Sequence, residues 1–169
     1  MSKWDNNLYN HLVEALINQI HQEEPDLVVT AQNVVAPNPA FPYVEYDIYD
    51  DGSGQTFENM NDEPVLVGIQ MKAVSNIENE AKAIAHWLSK LFREQQPAAE
   101  LAQLGIGVKR ASPLPPTVDF LTSDYIFTSG TDLQIEILDG FQDNTQPGQI
   151  QAVKPTIQIN KGDLKHGES

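Results

Sequence analysis

The chain has 169 residues, with 24 acids against ten bases for a net charge of −14, 40% apolar residues and no cysteine. That length fits one domain able to bury a full core, and the lack of cysteine excludes disulfides, thiol nucleophiles and thiolate metal sites together. Between Lys3 and Lys72 there is no Lys or Arg but there are twelve Asp and Glu, a distribution that repels phosphate backbones and argues against tight nucleic-acid binding.

Met1-Ser2-Lys3-Trp4 opens the chain without a basic segment leading into an apolar run, so no signal peptide is expected. No stretch reaches the ~18 apolar residues of a membrane span, and a soluble protein is expected. An amphipathic helix is predicted over about Asn6 to Gln22: Leu8, Leu12, Leu16 and Ile20 recur every four residues, Val13 and Ile17 widen the stripe, and Asp5 or Asn6 is a suitable cap. Glu24-Pro25 ends it, because a residue before proline avoids the helical region. Leu27 to Val35 reads as a β run. Ala36 to Pro42, with three prolines, reads as a stiff connector, and Tyr43 to Tyr49 as a half-buried strand, with Val44, Tyr46 and Ile48 on one face.

Asp50 to Glu63 carries two glycines and five acids and reads as a loop. Val65 to Ala73 is the clearest strand, with Val65, Val67, Ile69, Met71 and Ala73 alternating against Leu66, Gly68, Gln70 and Lys72. A long central helix is predicted from about Asn76 to Gln95. Ser75 or Asn76 caps it, Glu78 and Glu80 complement its dipole, and Ile77, Ala81, Ile84, Leu88 and Leu91 form its stripe, with Ala85 and Phe92 beside it. Pro97 opens a short helix, Ala98 to Leu104, that Gly105 stops. A short strand, Ile106 to Arg110, a proline turn at 112–116, and strands Phe120 to Thr128 and Asp132 to Leu138 follow. Ser129-Gly130 reads as a tight hairpin turn between those last two. After Leu138 the composition turns polar, with one apolar alternation at Ile150 to Ile159. The expected fold class is α+β: a mostly antiparallel, mixed sheet flanked by the N-terminal and central helices. Residues 1–138 form the domain and residues 139–169 a C-terminal extended arm, whose strand would suit addition to a sheet edge.

No catalytic, cofactor-binding or metal site is assigned, and no enzyme activity is expected. The one pattern with ligand spacing is Asp47, Asp51, Gly52 and Glu58, which matches a calcium loop at positions one, five, six and twelve. It departs at the third position, Tyr49, and its flanks read as strand and loop rather than helices; an acidic β-loop is the competing reading. A calcium-dependent binding module or enzyme using this loop is the rival from a different class. His11, His21, His86 and His166 lack partners at ligand spacing, and no nucleophile elbow or phosphate loop occurs. Lys109-Arg110 reads as a solvated or ion-paired couple. Tyr43, Tyr46, Tyr49, Tyr125 and Phe127 fall in predicted strands, and two readings stay open for them, core packing or interface anchoring.

The order of parts carries a resemblance. An N-terminal helix leads to Gln32-Asn33, a proline-broken connector and Phe41-Pro42-Tyr43-Val44. Then come the acidic loop, the strand Val65 to Ala73, the helix Ile77 to Phe92, Leu101 to Gly107, a proline-containing stretch, Asp124-Tyr125 and a terminal strand. Over residues 5–138 this resembles the tail-terminator and neck proteins of tailed bacteriophages. An arginine-rich segment that family members carry after the Tyr125 position is replaced here by Ile126-Phe127-Thr128-Ser129-Gly130. The resemblance implies a structural virion protein assembled in the bacterial host cytoplasm: a homohexameric ring that caps the tail-tube protein, stops tube growth, contacts the head-tail connector protein, and lets DNA pass without specific binding. Another virion component, such as a head-completion or baseplate protein, is the nearest rival. The loop Asp50 to Glu63 and the arm Asp139 to Ser169 are the expected partner contacts, since long polar loops carry function.

Overall fold

A computed structural model describes residues 7–33, 39–54, 61–121 and 124–140. The order is α1 (Asn7–Glu23), β1 (Val28–Ala31), β2 (Tyr43–Gly54), β3 (Pro64–Ser75), α2 (Glu78–Leu91), α3 (Gln95–Gln103), β4 (Ile106–Leu121) and β5 (Asp124–Leu138). The strands form one five-stranded sheet in the order β1-β2-β3-β5-β4. β1 runs parallel to β2 and every other pair is antiparallel. This is the mixed, mostly antiparallel α+β architecture expected from the sequence.

The helices cover one face of the sheet. Leu12, Leu16 and Ile20 of α1, Leu88 and Leu91 of α2 and Leu101 of α3 join Val67, Ile69 and Met71 of β3 and Leu133 and Ile135 of β5 in one buried cluster. A strand's period of two sends the alternate residues to the opposite face. Glu45 of β2 stands opposite Lys72, and Asp47 opposite Gln70; Gln70 in turn pairs with Asp132, and Leu66 with Glu136. That face is open and polar, as a half-solvated sheet allows.

The helix boundaries follow local chemistry. At the entry to α2 the Ile77 backbone N–H donates to Ser75 Oγ at 3.0 Å, and that hydroxyl donates to Glu80. The residue at the cap position itself is Ile77, which makes no side-chain cap bond, so Ser75 serves the helix from two residues upstream. α3 begins at Gln95 and accommodates Pro97 in its first turn, where the missing N–H costs nothing. The proposed caps of α1, Asp5 and Asn6, lie outside the described residues, as do residues 34–38, which are the end of the expected β run and the start of the connector.

Several boundaries differ from the sequence reading. Ser129-Gly130 is not a turn: β5 runs unbroken through it from Asp124 to Leu138. The reversal falls instead between Leu121 and Asp124, which pair with each other, so Phe120 belongs to β4 and not to the strand that holds Tyr125. The proline segment is also strand. β4 passes through Pro113, Pro115 and Pro116 with a register shift between Leu114 and Thr117. Its place at the sheet edge explains this, because an edge strand tolerates residues with no N–H to donate. β2 extends into the expected loop as far as Gly54, with register shifts between Ile48 and Ser53. β1 is only four residues long. Of the expected arm, Asp139 and Gly140 are described; the Asp139 N–H donates to the Glu63 carbonyl at 3.0 Å, and Asp139 Oδ1 accepts from the Glu63 N–H at 3.1 Å. The remainder of the arm, with Ile150 to Ile159, lies outside the described residues.

On the open face Gly68 gives the Tyr49 ring room to lie across the sheet: a Cβ on Gly68 would sit 2.6 Å from Tyr49 Cζ. Tyr49 is half-exposed but hydrogen-bonded to Asp132, so moving its ring aside disturbs that bond, and Gly68→Ala is expected to cost about 1–2 kcal/mol in urea denaturation. The same substitution in a Tyr49→Ala background should cost less, a non-additivity that a double-mutant cycle measures.

Candidate functional site

In its described part, Asp47 to Gly54, the calcium-loop pattern is strand. Asp47 lies half-buried on the open face of β2, Asp51 continues the same strand, and Glu58 is outside the described residues. Among the described residues no group of three or more His, Cys, Asp and Glu is arranged to hold a metal ion. His11, His21 and His86 are exposed and on helices, His166 is outside the described residues, and His21 Nε2 donates to the Leu27 carbonyl at 3.0 Å. No helix among the described residues is long and apolar enough to cross a membrane.

The charged and polar groups form ties within the subunit. Lys109 pairs with Glu136 at 2.8 Å and Arg110 with Asp132 at 3.6 Å, all on the open face. Trp87 Nε1 donates to Glu23 at 2.9 Å, joining α2 to α1. Glu100 of α3 gathers three amides: Gln19 Nε2 at 3.0 Å, Gln22 Nε2 at 3.1 Å and Gln96 Nε2 at 3.1 Å. These donors, Gln19 first, hold the Glu100 carboxyl below the usual carboxylate value of 4.5. A lowered folded pKa contributes stability above the unfolded value and loses it as pH falls through the folded one. Glu45 has the opposite sign: burial raises its carboxyl pKa, Lys72 partly offsets this, and Asp47 adds to it. Acid therefore relieves Glu45 while weakening the Glu100 tie. Replacing Glu100 by glutamine is expected to make the fall in urea midpoint below about pH 4.5 shallower than in the parent protein. An unchanged acid slope would show that the three amides do not favour the ionised carboxyl.

Besides these ties, the surface of the described residues carries three features of interest. The first is the end of the β4–β5 hairpin. β3 stops pairing at Ser75, opposite Phe127, while β4 and β5 continue together to Leu121 and Asp124. Beyond the sheet, then, they form a two-stranded ribbon. Val118 pairs with Phe127 and Phe120 with Tyr125, so these four share one face. It is the face that carries the core further down β5: Val118 and Phe127, level with the end of β3, line a small pocket with Glu78, Ala81 and Lys82 of α2, and Phe120 and Tyr125 lie beyond the last β3 pair. Val118, Phe120 and Tyr125 are 55%, 61% and 58% exposed. The Phe120 and Tyr125 ring centres are 5.0 Å apart, and those of Tyr125 and Phe127 6.4 Å. Ile77, just ahead of α2, is 56% exposed as well.

The second feature is a groove of about 330 Å³ floored by Leu27, Pro42, Ala83, Ile84 and Trp87, with Glu24 and Glu80 in its lining. It lies on the β1 side of α2, whereas the ribbon leaves on the β4 side. The third is a depression of about 530 Å³ at the β4 edge, lined in part by Arg93, Lys109 and Arg110. Of the aromatic residues, Tyr43 is buried and Tyr46 packs against the core, while Tyr125 is exposed. The ribbon itself was hidden from sequence reasoning. The misplaced hairpin turn put Phe120 and Tyr125 five residues apart along one strand instead of opposite each other across two.

No protein-family model matches the chain, and no curated protein matches it. Among solved structures, the chain is similar to one in a structure described as the virion of a native gene transfer agent particle, at 9% identity and a TM-score of 0.37, covering 78% of this chain and 99% of that one.

Proposed function

We propose that this protein is a structural component of a phage virion, a tail-terminator or neck subunit that assembles with copies of itself into a ring, most simply a hexamer. The ring caps the tail tube, halts its polymerisation, meets the head-tail connector and leaves a passage for DNA. The observation that carries the reading is the ribbon. Val118, Phe120 and Tyr125, on one face at the end of the β4–β5 hairpin and each more than half exposed, are what a subunit leaves open for a protein neighbour to cover. The element order that resembles the terminator and neck proteins supports the choice of assembly. The net charge of −14 suits a bore past which DNA slides without sticking. No residue in this reading makes or breaks a bond; residues 1–138 build the ring, and residues 139–169 extend from it toward the tube or connector.

Electron microscopy of the purified protein, combined with a tube-polymerisation assay, tests the proposal. Closed rings with an acidic bore, and tubes that stop growing when the protein is added, are the expected results. A neutral or basic bore removes the DNA-passage part. Rings that leave tube growth unaffected point to a different position in the virion.

A further inference from the structure

The ribbon and the groove sit at the same end of the sheet but on opposite lateral sides. The ribbon continues β4 and β5 past Ser75, and the groove is built around Pro42, next to Tyr43, which pairs with Val74. One is a convex apolar feature and the other a concave apolar one. A surface that fits a different surface of an identical subunit makes a head-to-tail contact, and such a contact repeated by rotation closes a ring.

Charge follows the same partition along the strands. β1 ends at Ala31, paired with Tyr46, so among the described residues β2 is itself the sheet edge from Asp47 onward. Asp47 and Asp50 stand there. Crossing the sheet at the level of Asp50, the registers run through Gly68 and Gln134 to Arg110 on the far edge. Lys109 is adjacent, and Arg93 lines the same depression. Thus at one level the two edges of a subunit carry opposite charge, acidic at β2 and basic at β4. Two copies set side by side in the same orientation bring Arg93, Lys109 and Arg110 of one toward Asp47 and Asp50 of the next. Lys109 and Arg110 already bind Glu136 and Asp132, but a guanidinium has five donors, and both cations remain about half exposed or more. Apolar fit and charge therefore select the same arrangement independently.

We propose that the apolar face of the β4–β5 ribbon seats in the groove between α2 and the Leu27 and Pro42 segments of a second copy of this chain, head to tail, with the basic β4 edge of one subunit against the acidic β2 edge of the next. Phe120 and Tyr125 are the anchors, and Leu27, Ile84 and Trp87 receive them. The groove's carboxylates, Glu24 and Glu80, are acceptors for the hydroxyl of a seated Tyr125. This rests on the ring reading above and names the surface that would build the ring.

The test uses two full-length variants with substitutions at exposed positions. Phe120→Ser with Tyr125→Ser disables the ribbon and leaves the groove intact. Ala83→Arg fills the groove and leaves the ribbon intact; Ala83 is exposed on α2, so its fold should survive, which circular dichroism checks. Native mass spectrometry then reads the assembly state. Each variant alone should lose ring assembly, with self-association weakened by roughly thirtyfold or more. An equimolar mixture should form a one-to-one dimer, because one good ribbon and one good groove remain. Both variants forming rings like the parent protein would overturn this interface while leaving the ring reading intact. Monomeric variants whose mixture yields no dimer would also overturn it. A parent protein that stays monomeric would instead overturn the ring reading, and this interface with it.

Discussion

Replacing Phe92 by alanine is expected to destabilise the protein by about 3–5 kcal/mol, the usual cost of deleting a buried aromatic side chain. Among the described residues Phe92 is the bulkiest fully buried side chain, 1% exposed. It forms the C-cap of α2, where its backbone N–H bonds back to Leu88. Its ring belongs to the cluster in which the three helices meet the sheet. Removing the ring loses the transfer free energy and leaves a cavity that the close-packed cluster around it only partly collapses to fill. At this chain length the loss corresponds to a fall in Tm of roughly 6–20 °C. Urea denaturation measures it as a lower midpoint at unchanged slope. Phe41→Ala, at a position 37% exposed, should cost far less under the same conditions. Equal losses at the two positions would mean that the cluster does not centre on Phe92.

Gly130→Ala is expected to cost about 1–3 kcal/mol, despite adding only a methyl group to a strand. A Cβ at Gly130 would stand 2.5 Å from the Met71 carbonyl oxygen and 3.2 Å from Lys72 Cα. Both are backbone atoms of the paired central strand, so neither gives way as a side-chain tip does. β5 and β3 would have to separate where they pair most continuously, from Pro64 to Ser75. Gly107→Ala in β4 is the control: its added Cβ would find nothing nearer than 3.7 Å, and its cost should stay within about 0.5–1 kcal/mol. If the two alanine variants proved equally stable, the close approach of β5 to β3 would be wrong.

Gly130 also shows why part of the fold was legible in the sequence and part was not. Ser-Gly between two apolar alternations has the local chemistry of a turn. The same glycine inside a strand marks a close approach of backbone, and nothing local separates the two cases. Tertiary placement decides, because β3 pairs with β5 through this point. The prolines at 113, 115 and 116 misled in the same way: they forbid a central strand, but β4 is an edge. Where one face is buried and its period unbroken, the reading was sound. α1 is stated by Leu12, Leu16 and Ile20, α2 by Ala81, Leu88 and Leu91, and β3 by its alternation from Val65 to Ala73. The ribbon and groove were illegible for a related reason. Val118, Phe120, Tyr125 and Phe127 become one face only when the hairpin is correctly placed. Likewise, Leu27, Pro42 and Trp87 come from three segments that only the folded sheet brings together.

The central claim is that this chain works by assembling with copies of itself and with a tail tube. Native mass spectrometry of the purified protein, alone and with tail-tube protein, tests it most directly. A discrete closed oligomer, or one that forms on meeting the tube, is the predicted result. A single 18.8 kDa species, unchanged at high concentration and indifferent to the tube, would contradict it.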